Sequence, residues 1–222
     1  RVLIVGAGGL GSPCAFYLAA AGIGHLTLID NDVVALSNLQ RQILHKNNNI
    51  GELKVTSAKN TLNALNPSIS IEIHNDAINE NNVINYLKNI DLVIDGTDNF
   101  KSRYAISDAC TVLGIPWIYG AVYRFEGQVS FFHASKKDGI GGCYRCLFPM
   151  SESTGTAQNC TEAGVLGVAP GVIGLLQATE ALKHVIGIGE SLQGRLLSLD
   201  LLSMKMHETK LSVDPECVLC KK

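Results

Sequence analysis

The sequence predicts an α/β fold: a Rossmann-like, mostly parallel sheet with helices on both faces, followed by a C-terminal antiparallel β segment. Three observations predict it. The first thirty residues read strand, glycine turn, helix, strand, acid. Strand-like and helix-like runs then alternate as far as Tyr119, the pattern of a parallel sheet with crossover helices. After Gly120 the style changes to β runs separated by polar loops.

Val2 to Val5 is a β-branched run that stops at Gly6-Ala7-Gly8-Gly9-Leu10-Gly11, and Ala15 to Ala21 reads as a helix. His25 to Ile29 is a strand ending at Asp30. Glu52 to Leu65 reads as a helix closed by Asn66-Pro67, and Ile69 to Ile73 alternates as a strand. Asn81 to Lys88 is expected to be helical, and Asp91 to Ile94 is a buried strand running into Asp95-Gly96-Thr97-Asp98. Lys101 to Leu113 is a helix with Gly114 as its stop, and Trp117 to Tyr119 is a fifth strand. Gln128 to His133 is strand-like, Lys136 to Gly142 is a polar loop, and Ser151 to Gln158 is a second polar stretch. Gly164 to Ile186 carries Gln177, Glu180, Lys183 and His184 within an apolar run, which reads as a core helix rather than a membrane span. Arg195 to Leu201 and Met206 to Val213 form a closing antiparallel pair. The division is therefore 1–135, a nucleotide-binding region, and 136–222, a zone of loops, core helix and β segment within one compact unit.

Composition narrows the function. With 18 Lys plus Arg against 20 Asp plus Glu, the net charge of −2 leaves no basic surplus for a nucleic-acid backbone. No uninterrupted apolar run is long enough to span a membrane. The chain opens at Arg1 directly on its first strand, and we expect native residues to precede it. Seven cysteines, an odd number, argue against a fully paired disulfide framework and for a reducing, cytoplasmic setting.

Gly6, Gly8 and Gly11 match G-x-G-x-x-G between a strand and a helix, with Gly9 inside the turn. Glycines there let backbone N–H groups approach a phosphate at the positive end of the helix. Asp30, nineteen residues after Gly11, is placed to accept hydrogen bonds from ribose hydroxyls. The motif leaves the nucleotide open, and an NAD-dependent oxidoreductase is the rival reading. Two cations further along the chain favour a triphosphate: Arg41 in Asn38-Leu39-Gln40-Arg41-Gln42 and Lys54, thirteen residues on, can converge on polyphosphate. Hydride transfer has no use for that charge, whereas attack on an α-phosphorus does. Asp98, past the carboxyl end of a strand, is placed to hold Mg²⁺ between phosphate oxygens. No Walker motif occurs, so ATP would be bound in the Rossmann manner.

The two C-x-x-C pairs, Cys143/Cys146 and Cys217/Cys220, fit a tetrahedral four-thiolate zinc site of structural type, clamping the C-terminal β segment. The alternative is one redox-active pair. Cys14 and Cys110 lie on helices and read as small buried residues. Cys160 follows the polar stretch and is a candidate for covalent chemistry. Trp117, Tyr119, Phe131 and Phe132 read as strand core. None of the six histidines has ligand spacing, and none receives a role.

Gly6 to Gly11, Asp30 to Asp32, Ser37 to Gln42, Lys54 and Thr97-Asp98-Asn99 together resemble the ThiF/MoeB (HesA/MoeB/ThiF) adenylyltransferases, relatives of the ubiquitin-activating enzymes. Cys143-Tyr144-Arg145-Cys146, Ala163 to Gly167 and Gln177 to Ala181 extend the resemblance over nearly the whole chain. The resemblance implies ATP- and Mg²⁺-dependent adenylylation of the C-terminal glycine of a ubiquitin-like sulfur carrier ending in Gly-Gly. That carrier would belong to thiamin or molybdenum cofactor biosynthesis. It further implies that Asp30 holds the ribose, that Asn38, Arg41, Gln42 and Lys54 work around the nucleotide, and that Asp98 organises Mg²⁺. It implies zinc, a homodimer in which an N-terminal segment carries an Arg to the partner's ATP, and a sulfur-transfer role for Cys160 in ThiF-like members. In MoeB-like members a similarly placed Cys is not needed for adenylylation.

Overall fold

The computed structural model describes residues 1–133, 141–149 and 164–220. Its strands form one eight-stranded sheet in the order β3-β2-β1-β4-β5-β6-β7-β8. They are β1 (Val2–Val5), β2 (His25–Ile29), β3 (Ser70–His74), β4 (Leu92–Asp95), β5 (Trp117–Tyr123), β6 (Glu126–Phe132), β7 (Arg195–Asp200) and β8 (Lys205–Lys210). The first five run parallel, and β6, β7 and β8 are added antiparallel. All four residues of both β1 and β4 are buried, as apolar runs covered on two faces must be.

One face is covered by α1 (Gly11–Ala20), α2 (Lys54–Leu65) and the long helix α6 (Val168–Ile186). There Ile4, Leu18, Leu28, Val55, Leu62 and Ala178 share a core. The other face is covered by α3 (Val83–Tyr86), α4 (Phe100–Leu113) and α5 (Tyr144–Leu147), with Leu3, Val93, Ile106, Trp117 and Tyr144 in a second core. The expected aromatic strand core is real: Trp117 stacks on Phe132 at 5.1 Å between centroids. Gly114 ends α4 at φ +69°, the left-handed conformation predicted for a helix stop.

Where boundaries moved, a local cause is visible. Helix α1 begins at Gly11 and not at Ala15, because Pro13 sits in the first turn, where its missing N–H costs nothing. The expected helix Asn81–Lys88 shrinks to the single turn Val83–Tyr86, since Asn82 spends its side chain on the Asn79 N–H and the Ala77 carbonyl. Strand β5 runs four residues past Tyr119, through Gly120. Gly120 looks like a break but marks a close approach: a Cβ there would lie 2.4 Å from Gln177 Nε2. From α6, buried Gln177 donates to the carbonyls of Asp95 (2.7 Å) and Ile118 (3.2 Å), where the β4–β5 ladder ends.

The order β3-β2-β1-β4-β5 reverses direction between β1 and β4, and ligands of open α/β sheets bind at the carboxyl ends beside such a point. Three backbones crowd together there. A Cβ on Gly11 would meet Gly6 O at 1.8 Å, and one on Gly6 would meet Gly96 O at 2.6 Å. Replacing Gly11 with Ala is therefore expected to cost at least about 2 kcal/mol of stability. Urea unfolding measures it, and a loss near zero would mean that the turn relaxes freely.

Candidate nucleotide site, adjoining cavity and four-cysteine cluster

The glycine turn is tied down on all sides. Gly6, at φ +96°, donates its N–H to Ile29 O at 2.7 Å. The Asp30 carboxylate accepts from the Ala7 N–H through Oδ2 and from the Asp32 N–H through Oδ1, both at 2.8 Å. Asp30 thus stands at the carboxyl end of β2 beside the turn, partly exposed, as a ribose-binding acid requires.

The segment after it is folded by short local turns that bring Arg41 and Gln42 onto the glycines. Asn38 serves this geometry: its Oδ1 accepts from the Ala35 N–H at 3.3 Å, and its carbonyl accepts from the N–H groups of Arg41 and Gln42. The Arg41 stem lies 3.6 Å from where a Gly9 side chain would begin, and its guanidinium donates to Ser37 O. Gln42 is only 5% exposed, with Nε2 3.5 Å from the corresponding point on Gly8. Its Oε1 is buried with no hydrogen-bond partner among the described residues. Lys54, the first residue of α2, is 5% exposed and pairs through Nζ with Asp32 Oδ2 at 2.8 Å. Gly8, Gly9, Arg41 and Gln42 are therefore gathered directly, while Lys54 is held beside Asp30 through Asp32.

Asp98 lies on the other side of the β1/β4 point. Gly96, two residues before it, touches the glycine turn. Asp98 is exposed and helps line a cavity of about 700 Å³ that extends over β5 to β8, with Arg103, Tyr119, Val122, Phe148 and Leu199 among its walls. Arg103 is fixed by its Nη2–H bond to Thr97 O (2.8 Å) and by the flanking rings of Tyr119 and Phe100. Behind it, Asp95 is fully buried, 3.5 Å from Arg103 Nε, and accepts from the Thr97 N–H and hydroxyl. Burial pushes the Asp95 carboxyl above the usual carboxylate range, against the opposing pull of Arg103 and Thr97. Sequence reasoning missed Asp95, Arg103, Asp32 and His45. His45 is buried and bonds to Ala7 O and Ser57 Oγ, a role that no spacing of histidines could reveal.

The four paired cysteines converge. Their sulfurs lie within 4.8 Å of one another, with Cys143–Cys217 at 3.6 Å, Cys146–Cys220 at 3.8 Å and Cys143–Cys146 at 4.0 Å. Four thiolates at ~2.3 Å around a tetrahedral Zn²⁺ would stand ~3.8 Å apart, so donor type and spacing both fit that ion. The cluster is anchored to α4. Arg145, between the two cysteines, makes a two-pronged ion pair with Asp108 (2.8 and 2.6 Å), and Tyr104 donates to Phe148 O at 2.9 Å. Cys14 and Cys110 are buried thiols pushed upward by burial, as expected of structural cysteines. Cys160 lies outside the described residues, as do the polar stretch Ser151 to Gln158 and most of the loop from Lys136 to Gly142.

Residues 1–219 match the model of the ThiF family. The chain belongs to this family. It is 44% identical over 220 residues to the SAMP-activating enzyme E1 of Haloferax volcanii, covering 99% of this chain and 80% of that protein. It is equally identical to the sulfur carrier protein adenylyltransferase of Thermus thermophilus, where 99% and 81% are covered. The probable adenylyltransferase/sulfurtransferase MoeZ of Mycobacterium tuberculosis is also 44% identical, over 97% of this chain and 55% of its own length. Among solved structures, E. coli MccB with ATP superposes with a TM-score of 0.87 at 23% identity, covering all of this chain and 67% of MccB. That likeness is one of fold. Among the described residues no helix is long and apolar enough to cross a membrane.

Metal analysis of this ThiF-family chain is expected to return about one zinc per chain, with loss of the metal on replacing Cys217 by Ser. A folded protein that is metal-free as purified would rule the cluster out as a zinc site.

Proposed function

We propose that this protein adenylylates the C-terminal glycine of a ubiquitin-like sulfur carrier, using ATP and releasing pyrophosphate, in thiamin or molybdenum cofactor biosynthesis. The observation that carries the reading is the position of Asp98. Asp98 lines the long cavity over β5 to β8 and follows by two residues Gly96, whose backbone touches the glycine turn. A nucleotide on the turn and an extended peptide tail in the cavity would meet there. The names of the relatives support the same chemistry, and an NAD-dependent oxidoreductase leaves the cavity, Arg41 and Lys54 without a task.

In this reading the tail carboxylate attacks the α-phosphorus in line, pyrophosphate departs, and an acyl-adenylate remains. The attacking group is already ionised, so no general base is required, and catalysis rests on placement and electrostatics. Asp30 accepts from the ribose hydroxyls, and Gln42, packed beside Gly8, supports the nucleotide-binding turn. Backbone N–H groups of the turn, Arg41 and Lys54 bear the phosphate charge. Lys54 exchanges part of its pairing with Asp32 for phosphate oxygens. The exposed oxygens of Asp98 suit a hard cation shared with phosphates, and Mg²⁺ bound there would neutralise charge on the departing group. The cysteine cluster is the structural zinc clamp. Cys160 is assigned to sulfur handling after adenylylation: its thiolate attacks the acyl-adenylate carbonyl and expels AMP, leaving a thioester with the carrier terminus that a separate sulfide-level sulfur donor then displaces to give the thiocarboxylate and the free thiol. A homodimer, the open edge of β8 as carrier docking site, and a cytoplasmic setting complete the proposal.

ATP–pyrophosphate exchange that depends on a carrier ending in Gly-Gly is the deciding assay. Exchange without a carrier, or turnover of NAD, would defeat the reading. Arg41→Ala is expected to slow exchange by roughly 100-fold or more, the scale of losing one preorganised donor to a developing oxyanion. Near-normal exchange would remove Arg41 from the mechanism. Cys160→Ser is expected to retain adenylylation and to lose thiocarboxylate formation; complete formation by the variant would dismiss Cys160.

A further inference from the structure

We propose that His45 is a positioning residue for nucleotide binding: its imidazole clamps the glycine turn to helix α2 with one hydrogen bond at each ring nitrogen. His45 is 5% exposed. Its Nε2 lies 2.9 Å from Ala7 O, and its Nδ1 lies 2.9 Å from Ser57 Oγ. A carbonyl only accepts, so Nε2 carries the proton and Nδ1 of the neutral ring accepts from the Ser57 hydroxyl.

The geometry gives each bond a consequence. Ala7 O and the Gly8 N–H belong to one planar trans peptide and point in opposite directions. Drawing Ala7 O into the interior therefore aims the Gly8 N–H outward, on the side where phosphate would bind. The peptide before it is fixed too, because the Ala7 N–H is held by Asp30 Oδ2. At the other end Ser57 lies about one turn along α2 from Lys54, so the same ring sets how far the lysine-bearing helix stands from the turn. No other described side chain is bonded to both of these elements at once.

The surroundings keep the ring in the required form. The charged groups that act on it are Lys54, the first residue of α2, Glu52 just before that helix, and Asp30 just after β2. Burial lowers the His45 pKa below the ordinary value, and Lys54 adds to that; the bond to Ala7 O and the two carboxylates oppose it without reversing it. The neutral tautomer is thus the resting state at neutral pH.

The inference rests on the adenylylation reading only for the identity of the nucleotide, and the test separates the two. Direct ATP binding by calorimetry, and the KM values for ATP and carrier in exchange, are compared for wild type and three variants. His45→Gln places an amide N–H near the Nε2 position, His45→Asn places its amide near Nδ1, and His45→Phe keeps the bulk and removes both bonds. His45→Phe and His45→Asn are expected to weaken ATP binding about 10-fold or more, the scale of one buried hydrogen bond. His45→Gln is expected to recover to within about 3-fold of wild type, and the carrier KM to change by less than about 2-fold throughout. Thermal midpoints are recorded alongside. Equal losses in Gln and Asn variants, affinity that merely follows the thermal midpoint, or a Phe variant with unchanged binding would overturn the clamp. If wild type binds NAD and not ATP, the adenylylation reading falls, and the clamp is judged by the same ratios for NAD.

Discussion

The structure depends on a place where no side chain fits. Gly6, Gly11 and Gly96 let three stretches of backbone meet at the carboxyl ends of β1 and β4, closer than any Cβ permits. Their contact sets the angle at which α1 leaves the turn, so the helix dipole and the turn amides share one direction. It also fixes the separation between the turn and the loop carrying Asp98. The proposed nucleotide site is consequently made mostly of backbone, with candidate side chains added from neighbouring segments: Asp30 from the end of β2, Arg41 and Gln42 from the following loop, Lys54 from α2.

Much of the fold was legible because the chain signals it locally. Val2–Val5 and His25–Ile29 have the expected bounds, and the antiparallel close of β7 on β8 was readable from two short β runs. Two boundaries moved for local reasons, at Pro13 and Asn82, and a third moved where a distant residue overrides a local signal. Gly120 read as an end because Gln177, far along the chain, was invisible in a linear reading. The site divides in the same way. Glycines, Asp30 and the C-x-x-C pairs declare themselves by spacing. Arg103, Asp95 and His45 do not, since each acquires its role only when α4, β4 or the turn is brought beside it.

The four-cysteine cluster and the cavity are parts of one construction. Arg145 and Tyr104 link the cysteine-bearing turn to α4, whose first residues come directly after Asp98 and Asn99. Phe148, immediately after the turn, supplies cavity wall. The Tyr119, Tyr144 and Phe148 rings, with centroids 5.0 to 6.1 Å apart, pack the space between. A metal in the cluster would therefore hold the cavity's shape without taking part in bond-making.

Strand β8 closes the sheet with all six side chains exposed and one ladder edge unpaired among the described strands. Such an edge recruits any extended chain that reaches it, including another copy of itself. Lys205 and Lys210 stand at its two ends, and like charges brought face to face in a self-pairing would repel. The strand is thus biased against sticking to its own kind while its central main-chain groups stay available, a balance between solubility and receptivity written into six residues.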